Sequence, residues 1–414
     1  MKLFHQLQYP LRIIRAFIKW VLLSSVIGVV GGLLGAAFHH ALHFVTEIRG
    51  ENPWLIWLLP VGGLLTIGLY RLFRMTGNRG TNEIIEAILD DKPINPLLAP
   101  TIFLASCTTH LFGGSAGREG AALQLGGSVA SGISKLLKLQ EQERTVLIIS
   151  GMSAVFAGLF GTPLTACLFT MEFESLGTIF SPALLPCFLS AFIASGISGG
   201  LGVHAETYLL ETALTFTMDS TWRLAVLAIL VGLLGIVMCT VFHKAEHLAA
   251  KAMPNPMIRI AVGGAVVTAL TLLVGDQRYN GAGMDMALGA VAGNANWYDF
   301  LLKMLFTAVT LAAGFKGGEI VPTFCIGATF GCVVGGLLGL DPGIAAALGL
   351  VGLFCGATNS PITSIILSIE MFGVTNLYPF VMVCVISFVL AVHWSLYSSQ
   401  SDQFYKSRFV RNRD

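Results

Sequence analysis

Charge is scarce in this chain: Asp, Glu, Lys and Arg make up 11% of its 414 residues, against roughly 25% in a typical soluble domain. With 55% of the residues hydrophobic, the missing charge excludes an ordinary water-soluble globule and implies a bilayer as solvent. The net charge of +1 gives no overall field of the kind that attracts nucleic acid. The eight cysteines lie in or beside apolar segments without any C-x-x-C pair, so free buried thiols are expected rather than disulfides or a metal site. No cofactor is implied. The first apolar run is long and lacks a small-residue cleavage pattern, so no cleavable signal is expected. The few residues after Tyr405 are too short a stretch for a soluble domain.

What is abundant is long apolar sequence. The runs Trp20–Phe44, Trp54–Leu72, Leu224–Phe242, Ile258–Val274 and Phe380–Leu396 approach or exceed the roughly 20 residues that cross a bilayer. Others, such as Leu97–Phe112 and Pro361–Phe372, are short and bounded by Gly or Pro. Broken membrane helices are tolerated where they line a cavity, and in secondary transporters they mark ion sites. Lys2, Arg12, Arg15 and Lys19 precede the first run, and Lys406, Arg408, Arg411 and Arg413 follow the last. The positive-inside rule then places both ends in the cytoplasm, in an all-α, multi-pass protein of the cytoplasmic (inner) membrane.

The chain repeats itself. Gly158–Glu172 reads GLFGTPLTACLFTME and Gly356–Glu370 reads GATNSPITSIILSIE: glycine, a proline at a matching offset, a hydroxyl residue two further on, a terminal Glu. Upstream, GREGAALQLGG faces GGEIVPTFCIGATFG, with Glu119 and Glu319 in matching places, and Gly80–Ala87 faces Gly283–Ala290. The reading is a cytoplasmic segment (1–19), a first membrane repeat (20–203), a more polar linker (204–222), a second repeat (223–398) and a cytoplasmic tail (399–414). An odd number of crossings per half inverts the repeats and an even number leaves them parallel; the residues leave both open. The matching Glu172 and Glu370 suggest a shared structural task, such as capping a neighbouring helix start.

Candidate site residues are acids in glycine breaks. In GGSAGREGAALQLGG (Gly113–Gly127), Glu119 opens an apolar run directly after freed backbone N–H groups. Such N–H groups attract anions, and an intramembrane acid is a functional candidate by default. A carboxylate seated where an anion would sit can leave on protonation and admit one. The plainer readings are a salt bridge to Arg118 or a favourable helix-start Glu. Glu319, in GFKGGEIVP, is the second acid: a proton station, or a partner of Lys316. Thr81 and Asn82 are N-caps or anion donors; Tyr397 is an interfacial tyrosine or a phenol donating to an anion. GGSAG also fits G-x-S-x-G, with Ser115 as nucleophile and His110 nearby, but helical flanks and the lack of a partner acid count against a membrane-embedded serine hydrolase.

Together these motifs resemble the CLC family of chloride channels and proton-coupled anion antiporters. GSAGREGA is similar to the family's GREGP segment, Gly151–Glu174 to its second signature, GGEIVPTF to its GxFxP segment, and Ser395–Tyr397 to the tail carrying its central tyrosine. The resemblance spans about Gly32 to Tyr397. It implies two inverted repeats of tilted and broken helices, a homodimer with one anion path per subunit, and Glu119 as the gating, proton-transferring glutamate. It implies a transporter rather than an enzyme.

Within the family, Gly80–Ile84 (GTNEI) replaces GSGIP, Ala121 follows GREG, Phe173 stands where chloride/proton exchangers carry an internal glutamate, and Glu319 stands where chloride members are apolar. These features resemble the fluoride/proton antiporter branch, and imply proton-coupled fluoride export conferring fluoride resistance. The family alternative is a chloride/proton exchanger or an uncoupled anion channel. Thr81 and Val321, often Met and Thr in that branch, imply altered coupling or selectivity. A compact, strongly hydrated anion needs close donors, since its uncompensated burial is prohibitive. Those expected are the backbone of Gly117, Arg118, Gly120, Ile320 and Val321, with Thr81, Asn82 and Tyr397; Glu319 is the inner station for the proton or for Glu119 itself.

Overall fold

The computed structural model describes residues 2–75, 80–172, 179–205, 207–210, 213–215, 217–391 and 394–400, with side chains from residue 12 onward. Phe173 and residues 401–414, with the basic cluster of the tail, lie outside them. Among the described residues sixteen α-helices and no β-strand are found. The first eight are α1 (Lys2–Glu51), α2 (Leu59–Leu72), α3 (Thr81–Leu89), α4 (Leu98–Leu111), α5 (Glu119–Leu136), α6 (Glu141–Phe160), α7 (Pro163–Glu172) and α8 (Leu184–Gly200). The second eight follow the same order: α9 (Met218–Ala252), α10 (Pro256–Val274), α11 (Met284–Val291), α12 (Asp299–Ala313), α13 (Ile320–Leu337), α14 (Pro342–Thr358), α15 (Pro361–Phe372) and α16 (Leu377–Ala391).

Local chemistry sets the breaks in parallel in both halves. Gly161, with φ +69°, ends α6, and Pro163 opens α7; Asn359, with φ +56°, ends α14, and Pro361 opens α15. A left-handed residue stops the long helix, and a proline, whose missing N–H is no loss in a first turn, starts the short one. Thr217 and Ser220 form a reciprocal capping box that starts α9. That start at Met218 falls inside the stretch expected as a linker, and α1 is continuous from Lys2 through the first apolar run.

Glycines fix the centre of each half. A Cβ on Gly126 of α5 would overlap the Gly151 carbonyl of α6, and the reverse holds; Gly327 of α13 and Gly349 of α14 are related in the same way. Small residues let membrane helices approach to backbone contact, and each crossing holds an inner helix rigidly.

Among the described residues, seven stretches are long and apolar enough to cross a membrane: 12–51, 53–72, 141–160, 181–200, 218–252, 256–274 and 320–337. Those at 141–160, 181–200 and 320–337 were not among the runs expected from sequence. For α6 and α13 the reason is burial: 83% and 72% of their apolar windows face protein, so they carry Ser, Thr and Gly rather than a lipid-facing surface. The run Phe380–Leu396 is not one helix: α16 ends at Ala391, and the N–H of Leu396 donates to the Ala357 carbonyl at 2.8 Å. All eight cysteines are free, as expected.

Candidate functional site

The two halves meet backbone to backbone. The N–H of Gly117 donates to the Gly318 carbonyl at 2.6 Å and the N–H of Gly318 to the Gly117 carbonyl at 2.7 Å, an isolated antiparallel bridge. Equivalent segments paired antiparallel are what a two-fold relation within the membrane plane produces, which fits inverted repeats. Immediately after the bridge, α5 and α13 begin, so two helix starts with unpaired N–H groups converge.

Glu119 is the first residue of α5 and is 1% exposed. Its Oε2 accepts from the N–H of Arg118 at 3.1 Å and, across the junction, from the N–H of Val321 at 3.3 Å. Its Oε1 is buried without a hydrogen-bond partner. A Cβ on Gly117 would overlap the carboxylate, and one on Gly318 would stand 2.6 Å from it; these glycines make room for the side chain. Glu119 also lines a narrow apolar cavity walled by Phe156, Phe160, Phe324, Phe354 and Met371. The carboxylate is thus held on one oxygen by backbone donors of both halves and borders apolar space.

Arg118 contributes its backbone, while its guanidinium lies 5.0 Å over the Phe160 ring. Glu319 is the N-cap residue of α13, as Arg118 is of α5, so the two acids are not in matching places, as the sequence suggested: Glu119 aligns with Ile320 and lies one residue further into its helix. Glu319 is partly buried and feels the charges of Glu119 and Glu246. Lys316, the partner that the plainer reading offered it, lies 4.8 Å over the Tyr70 ring. Ile320 and Val321 are fully buried in the first turn of α13.

Tyr397 is 3% exposed, which rules out the interfacial reading, and it feels the charges of both Glu119 and Glu319. The N-cap of α3 is Gly80, not Thr81 or Asn82. Thr81 Oγ1 faces Gly120, 2.8 Å from where a Cβ on that glycine would stand. The Oδ1 of Asn82 accepts from the N–H of Ser399 at 3.1 Å, and Glu86 accepts from the Ser399 hydroxyl at 2.7 Å. Asn82 therefore ties the segment carrying Tyr397 to α3.

Sequence reasoning missed Lys303, fully buried in α12. Its ammonium donates to Ser115 Oγ at 3.0 Å and to the carbonyls of Tyr279 at 3.1 Å and Gly281 at 2.7 Å. A lone cation in a fifteen-residue apolar segment was the available signal. Lys303 also removes the basis for a nucleophilic serine. Ser115 is fully buried and shares its hydroxyl with Lys303 and Thr307, while His110 Nδ1 faces the Ser106 carbonyl at 2.9 Å.

Known proteins are similar to this chain in sequence and in fold. The family model for the voltage gated chloride channel matches residues 62–392. A chloride/fluoride channel protein of Pseudomonas syringae pv. tomato is 33% identical over 390 residues, 92% of this chain and 86% of that protein. The H(+)/Cl(−) exchange transporter ClcA of Vibrio campbellii is 26% identical, covering 89% and 85%. Among solved structures, a CLC-type fluoride/proton antiporter superposes with a TM-score of 0.90 at 33% identity, covering 94% of this chain and 98% of that one. A slow cyanobacterial Cl−/H+ antiporter shares the fold, with a TM-score of 0.76 at 22% identity over 90% and 94%. With glycine-bridged helix starts, a buried glutamate between them and a family match over most of its length, the chain belongs to the voltage gated chloride channel (CLC) family of multi-pass membrane proteins.

Proposed function

We propose that the protein exports fluoride in exchange for protons across the cytoplasmic membrane, as a homodimer with one pathway per subunit and both termini in the cytoplasm. The observation that carries this reading is the Glu119 carboxylate on the N–H of Val321, with Glu319 two residues before that donor. A carboxylate held by backbone donors occupies an anion's place. Protonation weakens it as an acceptor and frees the donors for a small anion; the cavity walled by phenylalanines then seats the neutral acid. Fluoride is held by the N–H groups of Arg118, Gly120, Ile320 and Val321 with the hydroxyls of Thr81 and Tyr397, while Asn82 positions the Tyr397 segment; the Gly117 N–H, expected from sequence among the donors, is committed to the Gly318 carbonyl. Glu319 receives the proton, or Glu119 itself, from the inner side.

Support for fluoride comes from the two 33%-identical relatives, one named for chloride and fluoride and the other a fluoride/proton antiporter. The physics agrees. Hydrogen fluoride enters cells uncharged and dissociates inside, trapping the anion. Outward fluoride and inward protons each move positive charge inward, and each charge gains about 2.3 kcal/mol per 100 mV. Chloride is the competing anion, favoured by the Thr81 hydroxyl beside Gly120.

The test is simultaneous recording of anion efflux and proton uptake from liposomes loaded with fluoride or chloride. Wild-type protein should move fluoride with matched protons, and Glu119→Gln should move fluoride without them. Chloride efflux equal to or faster than fluoride efflux would overturn the selectivity, and stoichiometric proton movement by Glu119→Gln would overturn the gate.

A further inference from the structure

We propose that Glu246 of α9 is the proton relay between Glu319 and the aqueous phase on the side where the Tyr397 segment lies. The proposal rests on the antiporter reading above.

One face of α9 runs along the site. The Thr323 hydroxyl, one turn past Glu319, donates to Met238 Sδ at 3.7 Å, and the next residue, Cys239, feels the charge of Glu319. A turn further on, a ring nitrogen of His243 lies 3.2 Å from the carbonyl of Leu396, the neighbour of Tyr397. Cys239, His243 and Glu246 are spaced four and three residues apart, which places them on one helical stripe. From Cys239 to Glu246 the stripe rises roughly 10 Å. It begins among buried residues and ends at Glu246, which is exposed.

The electrostatic neighbours agree with the register. Glu246 is felt by Glu319 and by Lys316, and Lys316 is also flanked by Glu83 and Arg259. Among the described residues, four groups that can carry a proton are electrostatic neighbours of Glu319: Glu119, Cys239, Tyr397 and Glu246. Glu119 is where the proton comes from. A thiol and a phenol, with ordinary pKa values of about 8.5 and 10, keep their protons near neutrality and are poor acceptors. Glu246 remains, and it alone of the four is exposed to solvent.

The step is proton transfer alone. The O–H bond on Glu319 breaks as one forms on Glu246, through intervening water where the carboxyls do not touch, and Glu246 then releases the proton to bulk water. The Lys316 ammonium stays on the face of Tyr70, beside this route. Protons and fluoride thereby part company below Glu319: protons follow the α9 stripe, and fluoride passes the Thr81 and Tyr397 hydroxyls.

The experiment uses the full chain in liposomes with an outward fluoride gradient, recording fluoride and protons together. Glu246→Gln should slow both coupled fluxes about tenfold or more, the scale of removing a positioned acid–base group, and Glu246→Asp should restore most of the rate. In the uncoupled Glu119→Gln protein, adding Glu246→Gln should change fluoride efflux less than about twofold, because no proton has to be relayed. Wild-type coupled rates in Glu246→Gln would overturn the relay. Equal loss of fluoride efflux in the Glu119→Gln background would overturn it too, assigning Glu246 to the anion path or to folding. A wild-type protein that moves fluoride without protons would overturn both the antiporter reading and the relay.

Discussion

Glu172 and Glu370 each cap the start of the helix on which the other sits. Glu172 accepts from the N–H groups of Ile362 and Thr363 at 3.2 and 2.9 Å and from the Thr363 hydroxyl at 2.7 Å. Glu370 accepts from the N–H groups of Leu164 and Thr165 at 3.0 and 2.8 Å and from the Thr165 hydroxyl at 2.5 Å. The exchange clamps α7 to α15 and satisfies the first-turn donors of two helices too short to cross a bilayer alone.

The clamp predicts an asymmetric stability effect. Glu172 is 1% exposed, so Glu172→Ala leaves three donors without water and should cost about 2–3 kcal/mol. Glu370 is partly exposed, so water can replace it, and Glu370→Ala should cost about 1 kcal/mol. Thermal unfolding in detergent orders the two; a larger loss for Glu370→Ala would contradict the burial argument.

Gly117 predicts a functional loss without unfolding. A methyl group there meets the Glu119 carboxylate first, whereas one on Gly318 would also press within 3 Å of the backbone nitrogens of Glu119 and Gly120 and disturb the fold. Gly117→Ala should therefore lower proton-coupled fluoride flux roughly tenfold, the equivalent of about 1.4 kcal/mol at the Glu119 seat. The protein should still elute as a single folded species. Flux at the wild-type rate would show that Glu119 spends its working cycle elsewhere.

Much of this site was legible in the sequence because its parts are local. Glycine breaks followed by an acid, and the paired segments ending in Glu172 and Glu370, are short motifs whose chemistry does not depend on distant residues. What was lost depends on tertiary placement. The offset between Glu119 and Glu319 is a one-residue difference that only the Gly117–Gly318 bridge fixes. Asn82 read as an N-cap or an anion donor, and its tie to Ser399, more than three hundred residues away, was not visible. The run Phe380–Leu396 read as one span because apolar composition alone does not distinguish a helix end from its continuation.

Lys303 gives a sharper contrast with Ser115. Lys303→Met should remove three donations to Ser115, Tyr279 and Gly281, strand their oxygens in a dry interior and cost about 3–5 kcal/mol. Ser115→Ala deletes one acceptor, and Lys303 keeps its two carbonyls, so about 1 kcal/mol is expected, with fluoride transport retained. Folded yield and melting temperature separate the two variants. A Ser115→Ala protein that folds normally but transports nothing would restore a chemical role for this serine.

Val321 is where the site departs from a hydroxyl-bearing residue. Its N–H holds one oxygen of Glu119, while the other oxygen has no partner. Val321→Thr keeps the branched shape in the first turn of α13 and adds a hydroxyl to the residue whose N–H holds Glu119. Stability should change by no more than about 1 kcal/mol, the net value of one buried hydrogen bond. Coupled turnover should rise, because a hydroxyl beside the carboxylate offers a path for the proton and a donor for fluoride once Glu119 has left. The competing fate of the hydroxyl is to bond the Gly317 carbonyl within its own turn, as Thr323 bonds the Glu319 carbonyl at 2.8 Å. In that case turnover stays at the wild-type value, and the slow step lies elsewhere than the seat that Val321 and Glu119 share.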